Sequence, residues 1–419
     1  MLGAIADDVT GGTDLGSLLR RAGLSVVQTL GVPRSQIPPA DAVVISLKTR
    51  TAPTADAVES SLAAADRLIA DGATQLYFKY CSTFDSTDTG NIGPVIDALL
   101  DRLGEPFTIA CPAYPALRRT TYAAHLFVQG ELLSESPMRH HPLTPMTDSN
   151  LIRLLSRQSR GPVEGIHVET VEAGATELRH AFGALAAAGT RVAIVDALFD
   201  RHVDVIGQAA ADLPLVTGGA ALGGALARAR LSARPHTVGS GDDAASWSAA
   251  TDRVAILSGS CSSATQSQVR VLAGTVPSRA VDPLAIANDP RELDGLSEWA
   301  RREARRGPVL LYSTNRPEHV ADVHARLGRG ASAGLIESAF SHLAQSLASD
   351  GVRTFVVAGG ETSGAVLNAL GVRTLEFGNE IEPGVPWTRS LEPAGFTLAL
   401  KSGNFGSPDF FLHAIAGRR

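Results

Sequence analysis

The amino-acid sequence predicts an α/β protein of two domains, each with a largely parallel sheet flanked by helices. Three observations carry that prediction. Short apolar runs alternate with stretches of helical period, the pattern of strands and crossover helices in a sheet covered on both faces. The chain has 419 residues, more than one compact core usually organises. Near its middle, Pro235, His236, Gly239, Ser240, Gly241, Asp242 and Asp243, with a run of Ala and Ser, have the composition of a linker. We therefore expect a first domain over residues 1–231, a linker over 232–252 and a second domain over 253–419.

In the first domain, apolar strand candidates recur at 2–6, 24–30, 42–47, 75–79 and 107–110. Between them, Val58, Leu62, Ala65 and Ile69 share one helical face, and Val95, Leu99 and Leu103 share another. The alternation resumes with strands at 165–168, 192–195 and 213–216, and Thr217-Gly218-Gly219-Ala220 turns into a further helix. Parallel sheets bind ligands beyond the carboxyl ends of their strands. Polar residues gather at those ends: Asp7-Asp8 after the first strand, Lys48-Thr49-Arg50 after the third, and Lys79 with Cys81-Ser82-Thr83-Phe84-Asp85-Ser86 after the fourth. Each alone reads as a cap or a surface charge. Together on one rim they offer carboxylates to accept from hydroxyls and cations to meet a carboxylate or phosphate.

The segment 112–150 breaks the pattern and reads as a long irregular loop, too apolar for disorder and of a length that tends to serve function. His140-His141 lies within it, but two adjacent histidines without a third spaced ligand do not make a metal site. No metal-binding residues are expected.

The second domain reads as strands at 253–257, 309–312, 354–358, 374–377 and 396–400. Its organising stretch is Val357-Ala358-Gly359-Gly360-Glu361-Thr362-Ser363-Gly364, a strand end, a glycine turn and a helix N-terminus. Glycines let backbone approach an anion, and the N–H groups and dipole of the helix favour phosphate. One such turn is an ordinary strand-to-helix connection. Two more occur here: Ser258-Gly259-Ser260-Cys261-Ser262-Ser263 and Lys401-Ser402-Gly403-Asn404-Phe405-Gly406. Three turns of Gly, Ser, Thr and Asn can surround a polyphosphate.

Composition narrows the partners. A net charge of −6 lacks the surplus of Lys and Arg that a broad nucleic-acid-binding face needs, and Arg301-Arg302 with Arg305-Arg306 reads as a solvated helix face. Cys81, Cys111 and Cys261 are odd in number and lack metal-ligand spacing, so reduced thiols in a cytoplasm are expected rather than disulfides or zinc. No signal peptide is expected, since residues 1–10 lack a basic region followed by a long apolar run. No window approaches the roughly 18 apolar residues of a membrane span. Neither G-x-x-x-x-G-K-[ST], nor the protein-kinase motifs, nor G-x-G-x-x-G after a strand occurs, which removes the main signals of P-loop enzymes, protein kinases and dinucleotide dehydrogenases.

The motifs, in their order along nearly the whole chain, resemble those of the four-carbon acid sugar kinase family, most closely its 3-oxo-tetronate kinase branch. In the first domain the likeness rests on Ile5-Ala6-Asp7-Asp8-Val9-Thr10-Gly11-Gly12-Thr13-Asp14, Leu47-Lys48-Thr49-Arg50, Lys79-Tyr80-Cys81-Ser82-Thr83-Phe84-Asp85-Ser86, Cys111-Pro112-Ala113-Tyr114-Pro115, His125-Leu126-Phe127-Val128 and His141-Pro142-Leu143-Thr144-Pro145-Met146-Thr147-Asp148. In the second it rests on Leu257-Ser258-Gly259-Ser260 and the two turns beginning at Gly359 and Lys401. The resemblance implies an N-terminal domain for a sugar acid, a C-terminal domain for nucleotide, and ATP-dependent phosphorylation of the terminal hydroxyl with Mg²⁺ on the phosphates. By motif it implies ATP contacts at Ser258, Gly360, Glu361, Thr362, Ser363 and Gly403, and substrate contacts at Asp7, Asp8, Lys48, Arg50 and Asp85. The chain departs from the family at Val9, where Phe is usual, at Gly12, where Ala is usual, and at Leu117-Arg118, where Asn-Gly commonly precedes Arg-Thr.

Under that resemblance Asp8 or Asp85 would orient the attacking hydroxyl or take its proton, Arg50 would grip the substrate carboxylate through two N–H groups, and domain closure would exclude water. D-threonate and D-erythronate are alternative acids, and a nucleotide-dependent oxidoreductase or a non-catalytic sugar-acid sensor is the alternative in class. A homodimer is the default assembly.

Overall fold

The structure, a computed structural model, describes residues 1–141, 143–232 and 253–416, so Pro142 and the expected linker beyond Ser232 lie outside the described residues. The chain divides into two compact units, Met1–Gly239 and Ser240–Arg419.

The first unit runs β1 (Leu2–Ala6), α1 (Val9–Arg21), β2 (Val26–Leu30), β3 (Ala42–Ser46), α2 (Thr54–Ala70), β4 (Gln75–Lys79), α3 (Ile92–Leu103) and β5 (Thr108–Cys111). It continues with β6 (Arg119–Tyr122), β7 (His125–Val128), β8 (Glu131–Leu132), α4 (Leu151–Ser156), β9 (Val163–Ile166), α5 (Val168–Glu172), α6 (Ala175–Ala187), β10 (Val192–Val195), α7 (Asp200–Ala209), β11 (Leu215–Gly218) and α8 (Ala220–Ser232). Eight strands form one sheet in the order β2-β3-β1-β4-β11-β5-β10-β9, and every pairing in it is parallel. Burial on both faces explains why these strands read as unbroken apolar runs. Against one face Ala57, Ala64, Leu68, Val95, Ile96 and Leu99 of α2 and α3 complete a core with Ile5, Val43, Ile45 and Phe78. Because all eight strands point the same way, their carboxyl ends form a single rim.

The segment expected to be irregular contains a three-stranded antiparallel sheet, β6-β7-β8. Its strands are four residues or shorter, and the β6–β7 turn puts Ala123 and Ala124 at φ +47 and +58 without the Asn or Gly that would announce a hairpin. That turn is held from outside: the buried Asp196 carboxylate, at the end of β10, accepts the N–H groups of Ala123 (2.7 Å) and Ala124 (2.9 Å). Arg118 is also left-handed at φ +54.

The second unit runs β12 (Val254–Ser258), α9 (Ser263–Ala273), β13 (Ser278–Ala280), α10 (Pro283–Asn288), α11 (Arg291–Ala304), β14 (Val309–Tyr312), α12 (Pro317–Leu327) and α13 (Arg329–Ser349). Then follow β15 (Thr354–Ala358), α14 (Gly360–Ala369), β16 (Thr374–Glu382), β17 (Val385–Glu392), β18 (Ala394–Lys401) and α15 (Phe410–Ala416). The order is β13-β14-β12-β15-β18-β17-β16, parallel from β13 to β18 and antiparallel through β17 and β16. Val269, Leu272, Phe410, Phe411 and Ala414 of α9 and α15 pack on Val254, Ile256, Val356 and Ala399. The sequence reading lacked β17, whose Pro386 counts against an inner strand, and β13, which is only three residues long.

Gly12 is closely packed. A Cβ there would overlap Ser46 Oγ, which already accepts from Gln28 Nε2 at 2.7 Å, while Gln28 Oε1 accepts from Thr13 Oγ1 at 3.1 Å. Gly12→Ala is expected to destabilise the protein by about 2 kcal/mol, as overpacking does. Ser46→Ala in the same chain should recover more than half of that in urea unfolding; simple additivity of the two losses would contradict the packing account.

Candidate functional site

On the rim of the first unit, Asp7, Asp8, Arg50 and Asp85 meet as the sequence leads one to expect. The parallel pairing of β1 with β3 and β4 sets Ala6 beside Ser46 and Lys79, so the residues that follow each strand converge. Arg50 Nε and Nη2 donate to Asp7 Oδ2 and Oδ1, both at 2.8 Å, a two-pronged contact. Nη2 also reaches Asp8 Oδ1 at 2.7 Å, and Nη1 lies 3.8 Å from Asp85 Oδ2. Asp8 caps α1: its Oδ1 accepts Gly11 N–H at 3.0 Å and its Oδ2 accepts Thr10 Oγ1 at 2.8 Å. Asn91, from the start of α3, donates to the carbonyls of Thr49 and Ala52, both at 2.8 Å, and so fixes the turn that carries Arg50.

Asp85 is aimed by its neighbour. Phe84 sits at φ +52, a left-handed conformation that costs an aromatic residue energy, and is fully buried edge-on against Tyr80 at 5.4 Å. Thr83 Oγ1 donates to Asp85 Oδ1, leaving Oδ2 as the carboxylate oxygen of the cluster least committed to protein donors. Lys79, 3% exposed, donates to Tyr80 O at 2.9 Å. A Cβ at Gly11 would lie 2.9 Å from Lys79 Nζ and overlap Asp8 Oδ1, so only glycine lets this lysine approach the start of α1.

Charge is finely divided here. Burial pushes the Asp7 carboxyl above the usual range, only partly offset by Arg50. For Asp8 burial acts in the same direction, but Arg50, Lys79 and the donors Thr10 and Gly11 outweigh it and hold the carboxyl below its ordinary value. Asp8 is thus a fixed anion.

The structure also corrects and extends the reading of this rim. The two-pronged face of Arg50 is occupied by Asp7, so it does not fit a two-pronged grip on a substrate carboxylate. Lys48 stands on the same turn with its side chain exposed. Arg119, at the start of β6 and absent from the sequence-based set, donates to the buried Ser82 in the loop after β4. Only the pairing of the small sheet with the unit reveals it. Asn91 and Lys79 likewise gain meaning from partners distant in sequence.

On the rim of the second unit, the turns after β12, β15 and β18 lock together. Gly359, at φ +118, precedes α14 without any side-chain cap, and a helix N-terminus of this kind favours an anion. A Cβ at Gly259 would overlap Thr362 Oγ1, and one at Gly403 would overlap Ser260 Oγ. Gly403 O accepts from Ser262 Oγ at 2.5 Å, Thr265 Oγ1 at 2.8 Å and Lys401 Nζ at 3.0 Å. Such closely packed glycine turns fit a polyphosphate that approaches backbone. Ser258 is fully buried, its hydroxyl shared with Thr314 Oγ1 at 2.7 Å, and Ser363 is also buried. Gly360 and Glu361 are exposed at the helix start. Among the described residues, no group of three or more His, Cys, Asp or Glu is arranged to hold a metal ion.

Two α/β units, one with a charged rim of carboxylates and guanidinium and one with a glycine-turn rim at a helix N-terminus, define a protein that binds two unlike small ligands. The comparisons agree. The Sugar-binding N-terminal domain family matches residues 2–226 and the Nucleotide-binding C-terminal domain family matches residues 255–411; the chain belongs to this two-domain family. A 3-oxo-tetronate kinase of Burkholderia multivorans is 50% identical over 416 residues, 99% of this chain and 96% of its own length. Another of Pseudomonas fluorescens is 46% identical over 99% of this chain and 96% of its own. A crystal structure from Salmonella typhimurium LT2, provisionally described as a tRNA synthase, is 42% identical with a TM-score of 0.87, covering 99% of this chain and 98% of its own.

Lys401, fully buried, also donates to Thr265 Oγ1 and Ser402 O at 3.0 Å and Phe405 O at 3.2 Å. Burial lowers its pKa to about 7. The unfolded chain holds this proton to about pH 10.4, so between those values it binds more protons than the folded state, and stability rises with pH. The stability of the protein relative to Lys401→Met should therefore grow from pH 7 to pH 9 in urea unfolding; a flat difference would refute the depressed pKa.

Proposed function

We propose that the protein is an ATP-dependent kinase that phosphorylates the terminal 4-hydroxyl of 3-oxo-tetronate. The observation that carries this reading is the identity of 43–50% with curated 3-oxo-tetronate kinases over 99% of the chain. The chemistry of the two rims supports it. The sugar acid lies at the rim of Asp7, Asp8, Arg50 and Asp85, and ATP at Ser258, Gly360 to Ser363 and Gly403. Mg²⁺, when bound with ATP, would supply charge neutralisation.

In the reaction, the 4-hydroxyl oxygen bonds to the γ-phosphorus, the bond to the β–γ bridging oxygen breaks, and ADP leaves. Asp85 takes the hydroxyl proton, a role its uncommitted Oδ2 favours over Asp8, whose two oxygens already accept from Gly11, Thr10 and Arg50. Three carboxylates against Arg50 and Lys79 leave this rim short of positive charge for an anionic substrate. Arg119, with Lys48 at the outer edge, supplies it and meets the substrate carboxylate. The description given to the Salmonella protein does not transfer, because a chain of net charge −6 is poorly suited to a tRNA backbone. Three free cysteines suit a cytoplasmic setting, and a homodimer is the assembly we expect.

ADP release from ATP and Mg²⁺ across a panel of four-carbon acids tests the reading. Turnover is expected with 3-oxo-tetronate and little with D-threonate or D-erythronate. Preference for the reduced acids would overturn the substrate, and silence across the panel would overturn the kinase. Asp85→Asn should lower kcat by about 100-fold or more, the usual scale for a general base. Arg119→Ala should instead raise KM for the acid at nearly constant kcat, which a change in kcat alone would contradict.

A further inference from the structure

The charged rim of the first unit holds a buried cation that the protein itself leaves under-bonded. Lys79 ends β4, a central strand between β1 and β11, and stands level with Ala6 and Gly218 in the register of its neighbours. It is buried, whereas the side chains of Arg50 and Asp8 are partly exposed. An ammonium carries three N–H donors, yet among the described residues Tyr80 O, at 2.9 Å, is the one acceptor that Lys79 Nζ meets. Asp7 and Asp8 act on it as nearby charges, while their own oxygens already accept from Arg50, Thr10 and Gly11. The start of α1 brings no side chain over the ammonium, because the nearest residue there is Gly11. A buried cation with donors to spare is costly unless something else accepts from it.

We propose that Lys79 recognises the 3-oxo oxygen of the substrate through these spare N–H groups and thereby selects the keto acid over its reduced counterparts. The inference rests on the sugar-acid kinase reading above. Donor and acceptor chemistry favours the ketone: an ammonium only donates and a carbonyl oxygen only accepts, so the pair leaves no proton without a partner. A 3-hydroxyl brings a proton of its own to the same place. The acceptors beside it are taken, Tyr80 O by the lysine and the Asp8 oxygens by Thr10, Gly11 and Arg50. The order of groups along the acid fits as well. The Cys81 thiol, two residues beyond Lys79, feels the charges of Asp85, Arg50, Arg119 and Lys79 together, so these groups surround one point of the loop after β4. With the carboxylate at Arg119 and the terminal hydroxyl at Asp85, the 3-oxo oxygen next to that hydroxyl falls to Lys79. A site built to bond one substrate group rejects an analogue that lacks it.

The test is calorimetric binding of 3-oxo-tetronate, D-threonate and D-erythronate, without ATP, to the full chain and to Lys79→Met and Lys79→Gln. Methionine keeps the length and loses the donors; glutamine keeps an N–H without the charge. Lys79→Met should weaken 3-oxo-tetronate by about 10- to 100-fold, the range for a hydrogen bond to a charged group, and shift the reduced acids by less than about 3-fold. Lys79→Gln should recover part of the preference. Equal weakening of all three acids in Lys79→Met, with a melting curve and ATP affinity like those of the parent, would overturn the inference, and so would unchanged affinity for the keto acid. If Lys79→Met does not fold, Lys79→Gln decides in its place: it must weaken the keto acid more than the reduced acids, and an undiminished preference would overturn the inference. Parent protein that binds ATP but none of the acids, or that prefers the reduced acids, would instead overturn the substrate reading on which the inference rests.

Discussion

The arrangement of the first unit depends on one guanidinium. Arg50 is held between Asp7 and Asp8 and faces Asp85, so a single cation ties the ends of three strands into one rim. Its removal would leave buried carboxylates uncompensated, a loss on the order of 3–5 kcal/mol for a broken buried pair. The same constraint explains why the site cannot be read as a set of independent contacts. Asp7 is half of a structural clamp, Asp8 is both clamp and helix cap, and Asp85 Oδ2 stands off from the clamp at 3.8 Å from Arg50 Nη1. Fixing the cap residue and the arginine together holds the Asp85 carboxylate beside them at a defined place.

The second unit solves a different problem by different means. Its three strand-end turns pack so tightly that Gly259 and Gly403 have no room for a side chain. Lys401 organises these turns from beneath, bonding to the carbonyls of Ser402, Gly403 and Phe405 instead of facing a ligand. Both units thus use buried polar side chains to shape backbone at the carboxyl ends of parallel strands, where ligand binding in such sheets belongs.

How much of this was legible in the sequence follows from locality. β1, β4, β10, β14 and β15 coincide residue for residue with their apolar runs, because strands buried on both faces write their boundaries directly. β17 did not, since Pro386 lies within it, and the β6–β7–β8 sheet did not, since its turn at Ala123-Ala124 is stabilised by Asp196 far along the chain. The site divides in the same way. Asp7 and Asp8 directly follow β1, while Arg50 and Asp85 lie in the loops after β3 and β4, and they were visible as a group. That Asp7 takes both prongs of Arg50, that Asn91 fixes its turn and that Arg119 arrives beside Ser82 depend on pairings across 37 to 43 residues, which no local pattern encodes.

The account stands or falls on where the phosphoryl group goes. Proton-coupled ³¹P NMR of the product formed from 3-oxo-tetronate reads this directly. Transfer to the terminal oxygen attaches phosphorus beside a CH₂ group and predicts a triplet. A doublet, the signature of phosphorylation at the secondary 2-hydroxyl, would contradict the account, and so would the absence of any phosphoester signal while ATP is consumed.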